Sequence, residues 1–226
     1  MCFSATGSFA AAGVLAGIGV TCVARNEIRS MRMFAAVPLL FAAQQVAEGV
    51  VWLTIGENPP GGVARLAVVV FLGFALVVWP AWLPSALRLP EEDPRRRRIL
   101  AALSWSGIAT AAVAAILLAR GSPSAHVSNH SIAYDFASGA PNGNVLPLLC
   151  YVVPTVVPFF VSTLSLARVI GVVLFGSLVI TIVFQRQELT SVWCFFAALL
   201  SAMILAVLLR EAAKEDEPSA RRLMNR

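Results

Sequence analysis

The sequence predicts an all-α polytopic membrane protein of seven transmembrane helices, with the amino terminus outside and the carboxyl terminus cytoplasmic. Three observations carry this reading. Of 226 residues, 58% are hydrophobic and only 13% charged, far from the balance of a soluble domain. The apolar residues gather into stretches near the roughly 20 residues that cross a bilayer as helix. Fourteen of the 17 basic residues fall in alternate connections, the asymmetry that marks cytoplasmic loops. The net charge of +5 is thereby a matter of topology, and nucleic acid is not expected as a partner.

Taken in order, the apolar stretches run over 5–23, 33–54, 66–87, 99–119, 145–166, 169–184 and 190–209. The first opens "MCFSATGSFA" and meets its first arginine only after the apolar run. A signal peptide places its positive region before that run, so the segment reads as a retained reverse anchor with Cys2 facing the exterior. Gly13 and Gly17 give it a GxxxG spacing, expected to serve internal helix packing. The second contains "FAAQQVAEGVVWL", where Gln44, Glu48 and Trp52 share a helix face and Gln45 lies beside them. The third ends in "VVWPAWLPS": Trp79 and Trp82 are expected as interfacial anchors, with Pro80 and Pro84 disturbing the helix end.

The connection "RLPEEDPRRRR" precedes the fourth stretch and reads as an orientation signal in contact with phosphate lipids. The fifth carries Pro147, Pro154 and Pro158, which predict a kinked or interrupted helix. The sixth is the shortest, and the seventh opens with "TSVWCFFAALLSA". Residues 1–210 thus form one seven-helix domain integral to the cytoplasmic (plasma) membrane, and 211–226 a charged cytoplasmic tail. The lipid bilayer is the expected partner. The sequence does not set the oligomeric state. Phosphate-loop, dinucleotide-binding, EF-hand and paired CxxC motifs are all missing from it.

Glu48 is the one acidic residue well inside an apolar stretch. A carboxylate there must be paired, hydrated or protonated, which leaves two readings: an internal hydrogen bond or a functional polar pocket. The predicted topology gathers Cys2, Ser4, Glu48, Trp52, Trp193 and Cys194 on the outer side. The long connection with His126, His130, Tyr134 and Asp135 joins them there. Cys2, Glu48, His130 and Cys194 could supply ligands to a transition metal, zinc or copper. Alternatively Cys2 and Cys194 bridge as a disulfide, which an exterior compartment permits. His126 and His130 stand four apart without the glutamate of a HExxH motif. Cys22 and Cys150 are expected as buried spacers.

The stretches "MCFSATGSFA", "PLLFAAQQVAEGVVWL", "NHSIAYD" and "SVWCFFAALLSA" resemble an uncharacterised bacterial multispanning membrane family whose members begin MCFSA. The resemblance implies a single seven-helix domain but no established activity. It places shared features at Cys2, Ser4, Gln45, Glu48, Trp52, His130, Tyr134, Trp193 and Cys194. The leading functional reading is exofacial binding of a small ligand or metal ion by a transporter or sensor. Its candidate pocket comprises Ser4, Gln44, Gln45, Glu48, Trp52, His130, Tyr134 and Trp193. A membrane-embedded metalloenzyme acting on a lipid or small molecule is the alternative, and a structural membrane subunit the third reading. Whether the protein is an enzyme stays open at this point.

Overall fold

The computed structural model describes residues 4–57, 60–128, 131–135, 145–184, 201 and 203–212. Ser4 turns the chain into the first helix: its Oγ accepts a 3.1 Å hydrogen bond from Gly7 N–H, capping α1 (Ala5–Ala24). A 3₁₀ turn (Arg29–Met31) and a single helical turn, α2 (Arg32–Ala35), lead into α3 (Val37–Thr54). A second long helical run follows, made of α4 (Gly62–Gly73), a π turn (Phe74–Val78) and α5 (Trp79–Arg88). Asp93 starts α6 (Pro94–Arg120), its carboxylate accepting from Arg95 and Arg96 N–H at 2.8 Å each. After the strands β1 (Ser124–Ser128) and β2 (Ser131–Asp135) come α7 (Val145–Val161) and α8 (Ala167–Phe184). Residues 203–212 are again helical.

Four helical runs are long and apolar enough to cross a membrane: Ala5–Ala24, Arg29–Thr54, Gly62–Arg88 and Pro94–Arg120. They coincide with the first four predicted spans. The fifth and sixth correspond to the shorter apolar helices Leu146–Val161 and Ala167–Val183. Most of the seventh lies outside the described residues. Apolar side chains face outward along these helices, among them Leu53, Leu66, Trp105 and Val183, each more than 60% exposed. Water would not tolerate so much contiguous apolar surface, whereas hydrocarbon would.

The all-α expectation needs one correction, because 124–135 forms an antiparallel hairpin with Ser124 opposite Asp135 and Ser128 opposite Ser131. Of the two forms expected for the fifth helix, kinked or interrupted, the interruption is not found: α7 runs continuously through Pro154 and Pro158. Pro154 has no N–H to offer the Cys150 carbonyl, and Thr110 Oγ1 of α6 donates to that oxygen at 3.0 Å. A neighbouring helix thus satisfies what the proline leaves open. Thr110→Val should therefore lower the thermal midpoint of the purified protein by an amount equivalent to about 1 kcal/mol, whereas Thr110→Ser should stay close to the parent.

Two apolar clusters fill the interior. One gathers Leu15, Phe34, Phe41, Trp79, Leu100, Phe159 and Ile170 from α1, α2, α3, α5, α6, α7 and α8. The other gathers Val51, Val68, Phe71, Leu72, Leu118 and Ile132 from α3, α4, α6 and the hairpin. Trp79 is 2% exposed and stacks on Phe41 with ring centroids 3.9 Å apart. It is a core residue rather than an interfacial anchor. Trp82 is half-buried and donates to the Met33 carbonyl at 3.0 Å. Gly13 and Gly17 face away from α3, and a Cβ at either would touch nothing among the described residues. Cys22 is buried as expected, but Cys150 is exposed.

The turn between α7 and α8 is held from three elements. Glu91, 3% exposed, accepts from Thr163 N–H at 2.9 Å, Thr163 Oγ1 at 3.0 Å and Asp93 N–H at 3.2 Å. Arg96 Nη1 donates to the Val161 carbonyl at 2.8 Å, and Glu211 Oε1 accepts from Ser165 N–H at 2.8 Å. Leu166 in this turn has φ +61°, a conformation unfavourable for leucine. The three anchors hold it in place. Glu211, where the tail was expected to begin, is thus helical and tied to the bundle.

Candidate functional site

Gln44, Gln45 and Glu48 are each 0% exposed and lie on α3 at the junction of the two apolar clusters. Phe41 and Ala42 belong to one cluster, Ala47 and Val51 to the other. The helix brings Gln45 and Glu48 together, one turn apart: Gln45 Nε2 donates to Glu48 Oε2 at 3.1 Å. Gln44 turns to the next helical run, its Oε1 accepting from Trp79 Nε1 at 2.7 Å.

That last bond sets the depth of everything opposite. With equal rise in both antiparallel helices, pairing 44 with 79 brings Glu48 abreast of Ala75, inside the π turn. The turn follows from Pro80. Its ring would collide with the Leu76 carbonyl in a regular helix, and the backbone widens so that Trp79 N–H reaches Phe74 O. With Trp79 N–H so used and no N–H on Pro80, neither the i+4 nor the i+5 position can donate to the Ala75 carbonyl. Widened turns of this kind recur at functional sites.

On the other side of α3, a Cβ on Gly49 would lie 2.7 Å from the Phe9 ring and one on Gly19 2.6 Å from Leu39. These close approaches fix the antiparallel register of α1 against α3 and put buried Ser8 near the depth of Glu48. Ser8 belongs to the stripe Ser8, Ala12, Leu15, Gly19 and Cys22 that α1 buries. Ser8 Oγ, Gln44 Nε2, Gln45 Oε1, Trp52 Nε1 and Ser131 Oγ are buried with no hydrogen-bond partner among the described residues. So much inward polar capacity is unusual for an apolar core, where nearly all such groups are satisfied.

Strand β2 packs against this region. The open end of the hairpin carries exposed Asp135, whereas Ser131 and Ile132 are 0% exposed, so β2 is most buried beside residues 129 and 130. Tyr134 stacks on Phe71 with centroids 4.5 Å apart and planes 12° apart, and both it and Trp52 pack on the cluster around Phe71. His126 sits on β1 at the exposed rim, its Nδ1 3.2 Å from Asp135 Oδ2. An extended strand gives it no helical ligand spacing. A cavity of about 410 Å³ opens beside the hairpin, floored by Val51, Val68 and Leu118 and rimmed by Arg65 and Ser124. Val51 lies about one turn from Glu48 toward the carboxyl end of α3.

Of the residues predicted for the pocket, Gln44, Gln45 and Glu48 lie together on α3, while Trp52 and Tyr134 pack on the adjoining cluster around Phe71. Ser4 is an exposed helix cap with its oxygen occupied by Gly7. Cys2, His130, Trp193 and Cys194 lie outside the described residues. Among the described residues, no three His, Cys, Asp or Glu side chains are grouped as metal ligands. Sequence reasoning missed Ser8, Trp79 and Ser131. Ser8 was accessible through the four-and-three spacing of its stripe; the other two needed the register of neighbouring elements. The model of a family of unknown function (DUF6629) matches residues 1–220. No curated protein and no solved structure matches the chain.

Proposed function

The chain belongs to this family of unknown function, and on that premise we propose that it is a plasma-membrane protein whose outer half binds a small ligand or metal ion, acting in transport or sensing. The observation that carries the reading is the wholly buried Gln44, Gln45 and Glu48 set, one turn along α3 from the cavity beside the hairpin. In this reading Glu48 supplies the charge, Gln44 and Gln45 orient the ligand, and Trp52 and Tyr134 form walls. Cys2, His130, Trp193 and Cys194 complete the pocket from the outer side, with zinc or copper the metals their chemistry suits. The π turn opposite Glu48 supports the reading, because it withholds the i+4 and i+5 donors from the Ala75 carbonyl at that depth.

Thermal stability of the detergent-purified protein, scanned against divalent metal ions and small organic cations, tests the proposal. At least one should raise the midpoint of the parent protein and leave Glu48→Gln unmoved. If every response survives Glu48→Gln, or the parent responds to none, the proposal fails.

The proposed topology has seven spans, with the amino terminus and hairpin outside and the carboxyl terminus inside. It rests on the arginine asymmetry. A membrane-impermeant maleimide should label Ser122→Cys in intact cells above the parent background, and Arg95→Cys only after permeabilisation. The reverse pattern would invert the topology.

A further inference from the structure

At the opposite end of the bundle from the hairpin, α5 ends and α6 begins around a cavity of about 360 Å³. Arg88 comes from the last turn of α5, and Arg97 and Arg98 come from the second turn of α6, with Ala101 on the same face below them. The one carboxylate in the lining is Glu92. None of the three guanidinium groups forms an ion pair among the described residues. They are also unlike Arg96, whose guanidinium is committed to the Val161 carbonyl.

The cavity is built on a rigid turn. Glu91, adjacent in sequence to the lining residue Glu92, is fixed by Thr163 and by Asp93 N–H, and Asp93 already accepts from the first free N–H groups of α6. Side chains rather than the helix end therefore present the positive charge. Leu89 and Ile99, 46% and 49% exposed, add apolar surface close in sequence to the basic residues. Three unpaired planar donors over a small cavity, with apolar residues nearby, match a phosphodiester that carries acyl chains.

We propose that Arg88, Arg97 and Arg98 form a binding site for the headgroup phosphate of an anionic phospholipid. The site is independent of the pocket around Glu48. Arg88 and the Arg97, Arg98 pair grip the phosphate from two helices, so the bound lipid bridges the ends of α5 and α6.

Native mass spectrometry of the full chain, titrated with phosphatidylglycerol or phosphatidylcholine in detergent, tests this. The parent should retain phosphatidylglycerol in preference to phosphatidylcholine. The double variant Arg97→Gln, Arg98→Gln should bind it roughly thirtyfold more weakly, at the usual contribution per basic residue. Arg88→Gln, approaching from α5, should lose several-fold by itself and serves if the double variant does not fold. Arg120→Gln, at the far end of α6, should bind as the parent does. Equal retention of both lipids would overturn the proposal, as would unchanged retention in the arginine variants. If inorganic phosphate competes the lipid off at equal concentration, the site is one for free anions and the lipid assignment fails.

Discussion

Among the described glycines, Gly107→Ala should be the most damaging single-methyl change, lowering stability by about 3 kcal/mol, the upper part of the range for overpacking a closed core. A Cβ at 107 would overlap the carbonyl oxygen of Pro80 on α5 and come within 3.2 Å of Pro154 on α7. The obstruction is backbone, so no rotamer change relieves it. Local sequence explains the close approach: Pro84 has no N–H for the Pro80 carbonyl, and that oxygen turns to the bare Cα of Gly107. Thermal unfolding followed by tryptophan fluorescence, which reports on buried Trp79, would measure the loss. Gly13→Ala is the control, since a Cβ there meets nothing among the described residues. It should be neutral or stabilising by up to about 1 kcal/mol. Equal effects at the two glycines would refute the packing at 107.

Glu91→Ala should cost about 2–3 kcal/mol, because it strips a charged acceptor from two backbone N–H groups and a hydroxyl at once. Glu91→Gln should fall between alanine and the parent. Its amide can accept from one side while its NH₂ opposes an N–H on the other. Glu92→Ala, one residue away on the exposed side of the turn, should change stability by less than about 0.5 kcal/mol. The same unfolding measurement applies, and an equal loss at 91 and 92 would remove the special position of Glu91.

That contrast shows where the sequence was legible. Membrane-length helices could be read from apolar run length, because hydrocarbon imposes that length on each segment separately. The polar face of α3 was legible for a similar local reason, since the spacing of Gln44, Glu48 and Trp52 needs only the helix period. Glu91 and Glu92 are chemically identical neighbours, and only the arrival of Thr163, 72 residues later, distinguishes them. The tryptophans raise the same difficulty. Trp79 and Trp82 both read as anchors, yet Gln44 draws one fully inside. Prolines in "VVWPAWLPS" and in α7 read as interruptions, because their missing donors are visible in sequence and their compensating partners are not. The hairpin was obscured by its polar composition, although the alternation in "SIAYD" and the two residues between its strands were a local signal.

The hydrogen bond between Gln45 and Glu48 also bears on how the protein is made. Both partners belong to one helix, so the carboxyl group is accompanied from the moment that helix coils. The bond from Trp79 to Gln44 must wait for the next hydrophobic segment to leave the ribosome. Insertion of the acidic segment and consolidation of its surroundings are thereby separated in time, with the expensive residue escorted by a neighbour it carries along.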